Sequence, residues 1–235
     1  MNFCETAYRS VIDRIAAANK PDAKTEPTAL LAVSKTQPAD AIRALAALGQ
    51  RAFGENYVQE ALAKQRVLAD IGLEWHLIGP LQSNKCRDVA EHFDWLQSLD
   101  RDKLIEPLVR YRPPDRAPLN VLIQVNIDDE ASKSGCLPSA VPELASLVGA
   151  TSALRLRGLM AIPAPVANLA RRRDAFRRMR ALFDELRVMH PGVDTLSMGM
   201  SDDFELAIAE GATMVRVGSL LFGQRTKPAA ARPPT

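Results

Sequence analysis

Short apolar segments alternate with segments of helical periodicity along this chain, and that alternation constrains the fold more than any other feature. A short apolar run bounded by polar residues is typical of a buried strand, whereas apolar residues three and four positions apart indicate a helix. Strands that alternate with helices predict βαβ units and a parallel sheet. The eight predicted strands are Ala29–Val33, Arg51–Phe53, Trp75–Ile78, Phe93–Gln97, Leu119–Val125, Leu154–Leu159, Val193–Leu196 and Thr213–Val217.

Helical patterns precede the first strand and follow most of the others. An opening helix covers Phe3–Asn19, and a long helix, Ala170–His190, is closed by Pro191 and Gly192. This inventory predicts an α/β fold, a single (β/α)8 barrel with an extra N-terminal helix. We expect residues 1–226 to form that one domain, with no second domain after the eighth strand. Residues 227–235 are rich in proline and alanine, and we expect them to be a disordered tail.

Charge and composition exclude several classes of function. The formal net charge is only +2, so the chain has no bulk attraction to nucleic acid or anionic membranes. The six arginines between Arg171 and Arg180 spread around the helix Ala170–His190, which favours a solvated surface over a nucleic-acid site. The three histidines lack metal-ligand spacing, so we expect no metal. The three cysteines form no CxxC motif, and the N-terminus does not resemble a signal peptide, which together predict a cytoplasmic protein.

Two loops at the end of the predicted barrel combine glycine with serine. In such barrels the active site lies at the carboxyl ends of the strands, and phosphate often binds after strands seven and eight. The loops Ser197–Asp203 and Arg216–Ser219 occupy those positions. Glycine allows close approach of the backbone to an anion, and serine hydroxyls donate hydrogen bonds. Asp202 and Asp203 argue against a phosphate there unless they cap the next helix, and ordinary turn chemistry is an equal alternative.

Four further residues admit both a functional and a structural interpretation. Lys35 ends the first strand, either as a surface residue or as an amine at the barrel mouth that forms a Schiff base. Arg216 interrupts an apolar strand, which a structural salt bridge would also explain. Asn56 follows the second strand and is either a ligand contact or a helix N-cap. His76 is either a site residue or a satisfied core histidine.

Nine segments lie in order along nearly the whole predicted domain: Ala32–Thr36, Phe53–Glu60, Trp75–Lys85, Gln124–Asn126, Lys133–Gly135, Arg157–Met160, Leu196–Asp203, Met214–Ser219 and Phe222–Gly223. Together they resemble the pyridoxal phosphate homeostasis proteins. These proteins are single-domain relatives of the alanine racemase barrel, and the set of matching segments is highly specific. One departure is Gln37, where many members carry a second lysine.

The resemblance implies pyridoxal 5′-phosphate (PLP) as the cofactor, joined to Lys35 as an aldimine. It places Arg216 at the pyridine nitrogen, where an arginine disfavours ring protonation and weakens the electron sink. The remaining implied contacts are Asn56 and His76 beside the cofactor, Met198 in its pocket, and Ser201, Gly218 and Ser219 around its phosphate.

The resemblance implies a role in vitamin B6 and amino-acid homeostasis, with no catalytic residues and little or no turnover. We expect a monomer whose partner is this small molecule, with neither nucleic acid nor membrane bound. A PLP-dependent amino-acid racemase is the alternative, and a barrel enzyme acting on another phosphorylated substrate is a third. Racemases of this type take a second proton-transfer group from a tyrosine of another domain. Here Tyr57, next to Asn56, is the one candidate among three tyrosines.

Overall fold

The computed structural model describes residues 3–19, 27–130, 133–164 and 168–223. Its strands form one closed barrel in which each strand pairs with the next and the eighth pairs with the first. All eight pairings are parallel, which confirms the predicted (β/α)8 barrel. The strands are β1 Ala29–Val33, β2 Ala52–Glu55, β3 Glu74–Leu77, β4 Trp95–Leu99, β5 Leu119–Val125, β6 Leu154–Ala161, β7 Thr195–Ser197 and β8 Met214–Val217.

Helices in the described part of the chain connect these strands, and the predicted N-terminal helix is present. Short 3-10 turns at Ser83–Lys85, Asp102–Leu104 and Pro138–Ala140 lead into three of them. The tail expected at residues 227–235 lies outside the described residues. The α-helices are α1 Phe3–Ala18, α2 Ala39–Ala47, α3 Val58–Val67, α4 Cys86–His92, α5 Ile105–Tyr111, α6 Val141–Gly149, α7 Leu169–Met189, α8 Phe204–Ala209 and α9 Ser219–Phe222.

The fourth strand was predicted two residues too early. Phe93 does not start β4 but is the C-cap residue of α4. Its backbone N–H donates to the carbonyl of Val89 at 3.0 Å. Its ring is fully buried in the main hydrophobic cluster. An apolar residue that leaves a helix and enters the core has the same sequence signature as the first residue of a buried strand. Pattern alone therefore did not separate the two.

The barrel interior is partly polar, unlike the core between the strands and the helices. Leu31, Ile78 and Met214 form a small cluster separate from the main one, with Val33 packed against it. These residues come from the first, third and eighth strands or their ends, so they meet inside the barrel. Leu31 and Val33 share this inner face, as strand alternation requires. None of the helices in the described ranges is both long and apolar enough to cross a membrane.

Candidate functional site

A cavity of about 520 Å³ opens at the carboxyl ends of the barrel strands. Its walls come from Val33, Gln124 and Arg216 of β1, β5 and β8, and from residues that follow every strand except β4. The structure brings six of the eight predicted site residues together there. They are Lys35, Asn56, Ser201, Arg216, Gly218 and Ser219.

Asn56 lines this cavity and is not a helix cap. Tyr57 occupies the N-cap position of α3, and no side chain caps that helix. The backbone of Gly79 packs directly on Asn56, because a Cβ atom at Gly79 would lie 2.2 Å from the Asn56 carbonyl oxygen. The close approach of two strand ends thus holds Asn56 at the cavity wall, which supports the functional interpretation of this residue.

Met198 was expected in the cavity, and the structure places it elsewhere. Its side chain is fully buried in the main hydrophobic cluster, whereas Ser197 before it points into the barrel. Successive residues of a strand face opposite sides, so one position decides the difference. Met200, farther along the same loop, lines the cavity instead.

His76 does not line the cavity either, although the resemblance implied a position beside the cofactor. It is fully buried inside the barrel, and its ring stacks on Trp95 with centroids 5.0 Å apart. Its Nε2 lies 2.7 Å from a carboxylate oxygen of Glu74, and its Nδ1 lies 3.0 Å from Nε2 of Gln97. His76 is thus a satisfied interior histidine that is connected to the cavity through other residues.

The loop after β7 is shaped by Asp203. Its carboxylate accepts a hydrogen bond from the backbone N–H of Met200 at 2.7 Å. Asp203 occupies the N-cap position of α8, but its side chain makes no capping hydrogen bond to that helix. Capping of α8 by this carboxylate, which the sequence left open as an alternative, is not seen, since the carboxylate closes the loop instead. Asp202, by contrast, lines the cavity. The Ser201 hydroxyl lies 3.4 Å from the backbone N–H of Gly218, which joins the two glycine–serine loops.

Arg216 is a buried cation held by neutral groups. It is 3% exposed, and Nη1 donates to the carbonyl and the hydroxyl of Ser197 at 2.9 and 2.8 Å. Nη2 donates to the carbonyl of Ala161 at 2.8 Å. Burial lowers the pKa of Arg216 to about 10, against the charge of Asp203. The structural salt bridge considered as an alternative does not form with any described residue, which leaves a charged group at the cavity floor.

A chain of hydrogen bonds runs from Arg216 through the barrel to its opposite end. The Ser197 hydroxyl accepts from Arg216 and donates to Oε1 of Gln97 at 2.8 Å. Nε2 of Gln97 then donates to Nδ1 of His76, provided that the other ring nitrogen donates to Glu74. All of these bonds point the same way, from the cation to the carboxylate. They link His76 to Arg216 across the barrel interior.

The interior position of His76 predicts a pH dependence of stability. Burial lowers the pKa of His76, against the hydrogen bond and charge of Glu74. The folded state therefore binds a proton less readily than the unfolded state, whose histidine titrates near pH 6.5. Stability from this group is present above about pH 6.5 and falls as the pH drops, by at most about 1.4 kcal/mol per pH unit.

Urea unfolding of the wild-type chain and of His76→Phe between pH 5 and 8 tests this expectation. Phenylalanine keeps the stacking on Trp95 but cannot be protonated. The unfolding free energy of the wild-type chain minus that of His76→Phe should decrease as the pH falls below about 6.5. A difference that is constant over the whole range would show that His76 does not resist protonation in the folded state.

Comparison with known proteins places this geometry in a family. The model for the alanine racemase N-terminal domain matches residues 15–226. The pyridoxal phosphate homeostasis protein of Pseudomonas aeruginosa is 58% identical over 196 residues, covering 83% of this chain and 84% of that protein. The protein of that name from Escherichia coli K12 is 53% identical over 229 residues, covering 96% and 98%. This chain belongs to the pyridoxal phosphate homeostasis protein family.

Solved structures share the fold of this family member. PipY of Synechococcus elongatus, solved without PLP, is 40% identical with a TM-score of 0.82, covering 94% of this chain and all of that one. The PLP-bound structure of PipY is 39% identical with a TM-score of 0.77 and the same coverage. Alanine racemase from Corynebacterium glutamicum is 20% identical with a TM-score of 0.63. It shares only the fold, and this chain spans 63% of its length.

Sequence reasoning missed several polar residues of the homeostasis-protein site. Gln97 lies in a strand whose five residues are all buried, and a glutamine inside such a run was a usable signal. Gln124 likewise lies among buried residues, one position before the end of β5, and lines the cavity. Ser197 was included in the phosphate loop, yet it serves Arg216 and Gln97. No local pattern distinguishes a serine that faces an arginine from one that faces a ligand.

Proposed function

We propose that this chain binds PLP in the cavity through a covalent bond to Lys35 and acts in PLP and amino-acid homeostasis with little or no turnover. The observation that carries this proposal is the meeting of an amine, two serine hydroxyls and a buried guanidinium in one cavity. The amine adds to the cofactor aldehyde and water leaves, so a C=N bond replaces C=O. Borohydride reduction of the PLP-loaded chain should fix a pyridoxyl group on the peptide that carries Lys35.

Ser201, Ser219 and the backbone at Gly218 would hold the phosphate of bound PLP. Hydroxyl groups are donors suited to a phosphate, and hydrogen bonds to a charged partner are stronger than neutral ones. Gly218 allows the end of β8 to pack closely on β1, because a Cβ atom there would lie 3.1 Å from the carbonyl oxygen of Val33. PipY, whose structure was solved with PLP bound, supports this use of the cavity.

The pyridine nitrogen of bound PLP would lie next to Arg216, which would weaken the ring as an electron sink. A guanidinium with a pKa of about 10 stays charged at neutral pH and opposes protonation of a neighbouring nitrogen. An unprotonated ring withdraws electrons less strongly, so a carbanion formed beside it is less stabilised. The family name homeostasis protein, which the curated relatives carry, agrees with a role in holding the cofactor.

The arginine-rich helix α7 supports a surface role over nucleic-acid binding. Arg177 pairs with Glu210 at 3.0 Å, and Arg180 pairs with Asp184 at 2.8 Å. Charges that are neutralised by neighbouring carboxylates offer little to a phosphate backbone.

All three cysteines are free, which is the state of thiols in a reducing compartment. We place the protein in the cytoplasm, as a monomer without a nucleic-acid or membrane partner.

The second candidate function is amino-acid racemisation, which the match to the alanine racemase domain favours. Racemisation requires one proton-transfer group on each face of the α-carbon. No tyrosine is among the described residues that line the cavity, and Tyr57 is 62% exposed. Lys133 lines the cavity as well, but it is bound to Glu130 at 3.3 Å. We therefore favour binding over turnover.

Deuterium exchange at the α-carbon of L- and D-alanine tests this choice. In deuterated buffer, the PLP-loaded chain should exchange both enantiomers very slowly, because a second proton-transfer group is not in place. Proton NMR follows the loss of the α-hydrogen signal, and Lys35→Ala gives the background rate. Rapid exchange of both enantiomers that disappears in Tyr57→Phe would make the protein a racemase and Tyr57 its second base.

A further inference from the structure

The turn that carries Lys35 has an unfavourable backbone conformation. Thr36, the next residue, has a φ angle of +64°. This left-handed region is rarely adopted by β-branched residues, and it persists only where the surroundings enforce it. Thr36 follows directly on the residue that the proposed function makes the cofactor's anchor. Contacts that hold this turn therefore bear on where the Lys35 amine lies.

Both neighbours of Lys35 are held by groups from β2 and α3. The Ser34 hydroxyl donates to Oε1 of Glu55 at 2.6 Å. The Ser34 carbonyl accepts from Nζ of Lys64 at 2.8 Å. On the other side, the Thr36 backbone N–H donates to Oε1 of Glu60 at 2.6 Å. The backbone is thus fixed immediately before and immediately after Lys35.

Lys64 joins these contacts into one unit. Besides the Ser34 carbonyl, its ammonium donates to Glu55 at 2.7 Å and to Glu60 at 2.6 Å. These three acceptors match the three N–H donors of an ammonium group. The Lys64 side chain is 8% exposed, and Glu55 is fully buried. We call Glu55, Glu60 and Lys64 the clamp.

Stability alone does not explain the clamp. Burying an ion pair costs desolvation free energy, and apolar residues of similar volume often stabilise a fold at least as well. Burial raises the pKa of Glu55, against the hydrogen bonds from Lys64 and Ser34. Its second oxygen, Oε2, is buried without a hydrogen-bond partner in the described structure. An apolar core would avoid these costs, but it would leave the Ser34 carbonyl with the Gln37 N–H, at 3.0 Å, as its remaining donor, and no side chain would accept from the Thr36 N–H.

We propose that Lys64 is a positioning residue for Lys35, which acts with Glu55 and Glu60 to hold the left-handed turn and keep the Lys35 amine directed into the cavity. Lys64 does not line the cavity, so it acts through the backbone of Ser34 and Thr36. The inference rests on the proposed role of Lys35 in capturing PLP. It predicts that the clamp speeds the formation of the covalent bond.

The test compares rates of PLP capture by the wild-type chain, Lys64→Met, Thr36→Gly and the double variant. Methionine keeps the aliphatic stem and removes the ammonium. We expect Lys64→Met to capture PLP about 10- to 100-fold more slowly, because misplacement of a reacting group carries penalties of this order. Glycine adopts the left-handed region without steric cost. Thr36→Gly should therefore recover most of the rate in the Lys64→Met background and change little by itself.

Two further variants separate positioning from folding. Glu55→Gln with Lys64→Met removes both buried charges, so it should fold even where Lys64→Met alone does not, and it should still capture PLP slowly. Arg43→Gln breaks the Arg43–Asp70 ion pair of 2.6 Å between α2 and the end of α3, away from the turn. It should capture PLP at the wild-type rate. Thermal unfolding and circular dichroism establish that each variant is folded.

A folded Lys64→Met chain that captures PLP at the wild-type rate would overturn the proposal. The proposal would also be overturned if Lys64→Met slowed PLP capture by the same factor with threonine or with glycine at position 36. Lys64 would then only stabilise the fold. Reductive methylation of the cofactor-free chain with formaldehyde, read at Lys35 by mass spectrometry, provides an independent measurement. We expect the methylation rates of Lys35 in these variants to follow the same order as their rates of PLP capture. If the wild-type chain forms no PLP adduct, the proposed function fails, and methylation alone decides whether the clamp positions Lys35.

Discussion

Lys35→Ala is expected to abolish the covalent PLP adduct completely. The visible absorbance of the C=N bond should disappear, and borohydride should fix no pyridoxyl group on the chain. The physical reason is that Lys35 lines the same cavity as Ser201, Gly218 and Ser219, which we propose as the phosphate contacts. Absorbance spectra before and after reduction, followed by peptide mapping, measure the effect.

Lys133 provides the matched control, since it is the second lysine that lines the cavity in the described structure. Lys133→Ala should retain the adduct on Lys35. Lys35→Ala should retain weaker, noncovalent binding of PLP, because the phosphate contacts do not depend on the amine. A spectrum that Lys35→Ala leaves unchanged, or an adduct mapped to Lys133 in the wild-type chain, would disprove the assignment.

Ser201→Ala combined with Ser219→Ala is expected to weaken PLP binding by roughly 10²- to 10⁴-fold. Each hydrogen bond to a charged group contributes about 1.5–3 kcal/mol, so two contribute roughly 3–6 kcal/mol. A tenfold change in affinity corresponds to about 1.4 kcal/mol. The measurement is best made by calorimetric titration in the Lys35→Ala background, where covalent capture does not contribute. Binding then reports the noncovalent contacts alone.

Pyridoxal, which lacks the phosphate, is the control ligand for the double serine variant. Pyridoxal should bind weakly to the chain with both serines in place, and it should lose little affinity when both serines are replaced. Ser134→Ala is the matched substitution, because Ser134 lines the same cavity outside the two glycine–serine loops. That change should leave PLP affinity nearly unaltered. If PLP and pyridoxal lost affinity equally, the phosphate would have to lie elsewhere in the cavity.

Local pattern was sufficient to predict the architecture and the position of Lys35 at the carboxyl end of the barrel. Alternation of apolar runs with helical periodicity determines the order of strands and helices, and the barrel follows from that order. Lys35 comes directly after β1, and Arg216 lies within β8, so the barrel rule alone placed both at the same end. These inferences depend on residues close together in the chain. The sequence contains that information directly.

The tertiary structure alone decided which polar side chains meet. Gln97 and Ser197 are 100 residues apart, and closure of the barrel brings them within 2.8 Å. Lys64 lies 30 residues from Ser34, and its hydrogen bond to that carbonyl depends on how α3 packs over β1 and β2. Met198 does not line the cavity, because strand alternation directs its side chain away from the barrel interior. The register of β7 decides which residues face inward. Such contacts are set by strand register and helix packing over the whole domain, so residue identity and spacing alone could not specify them.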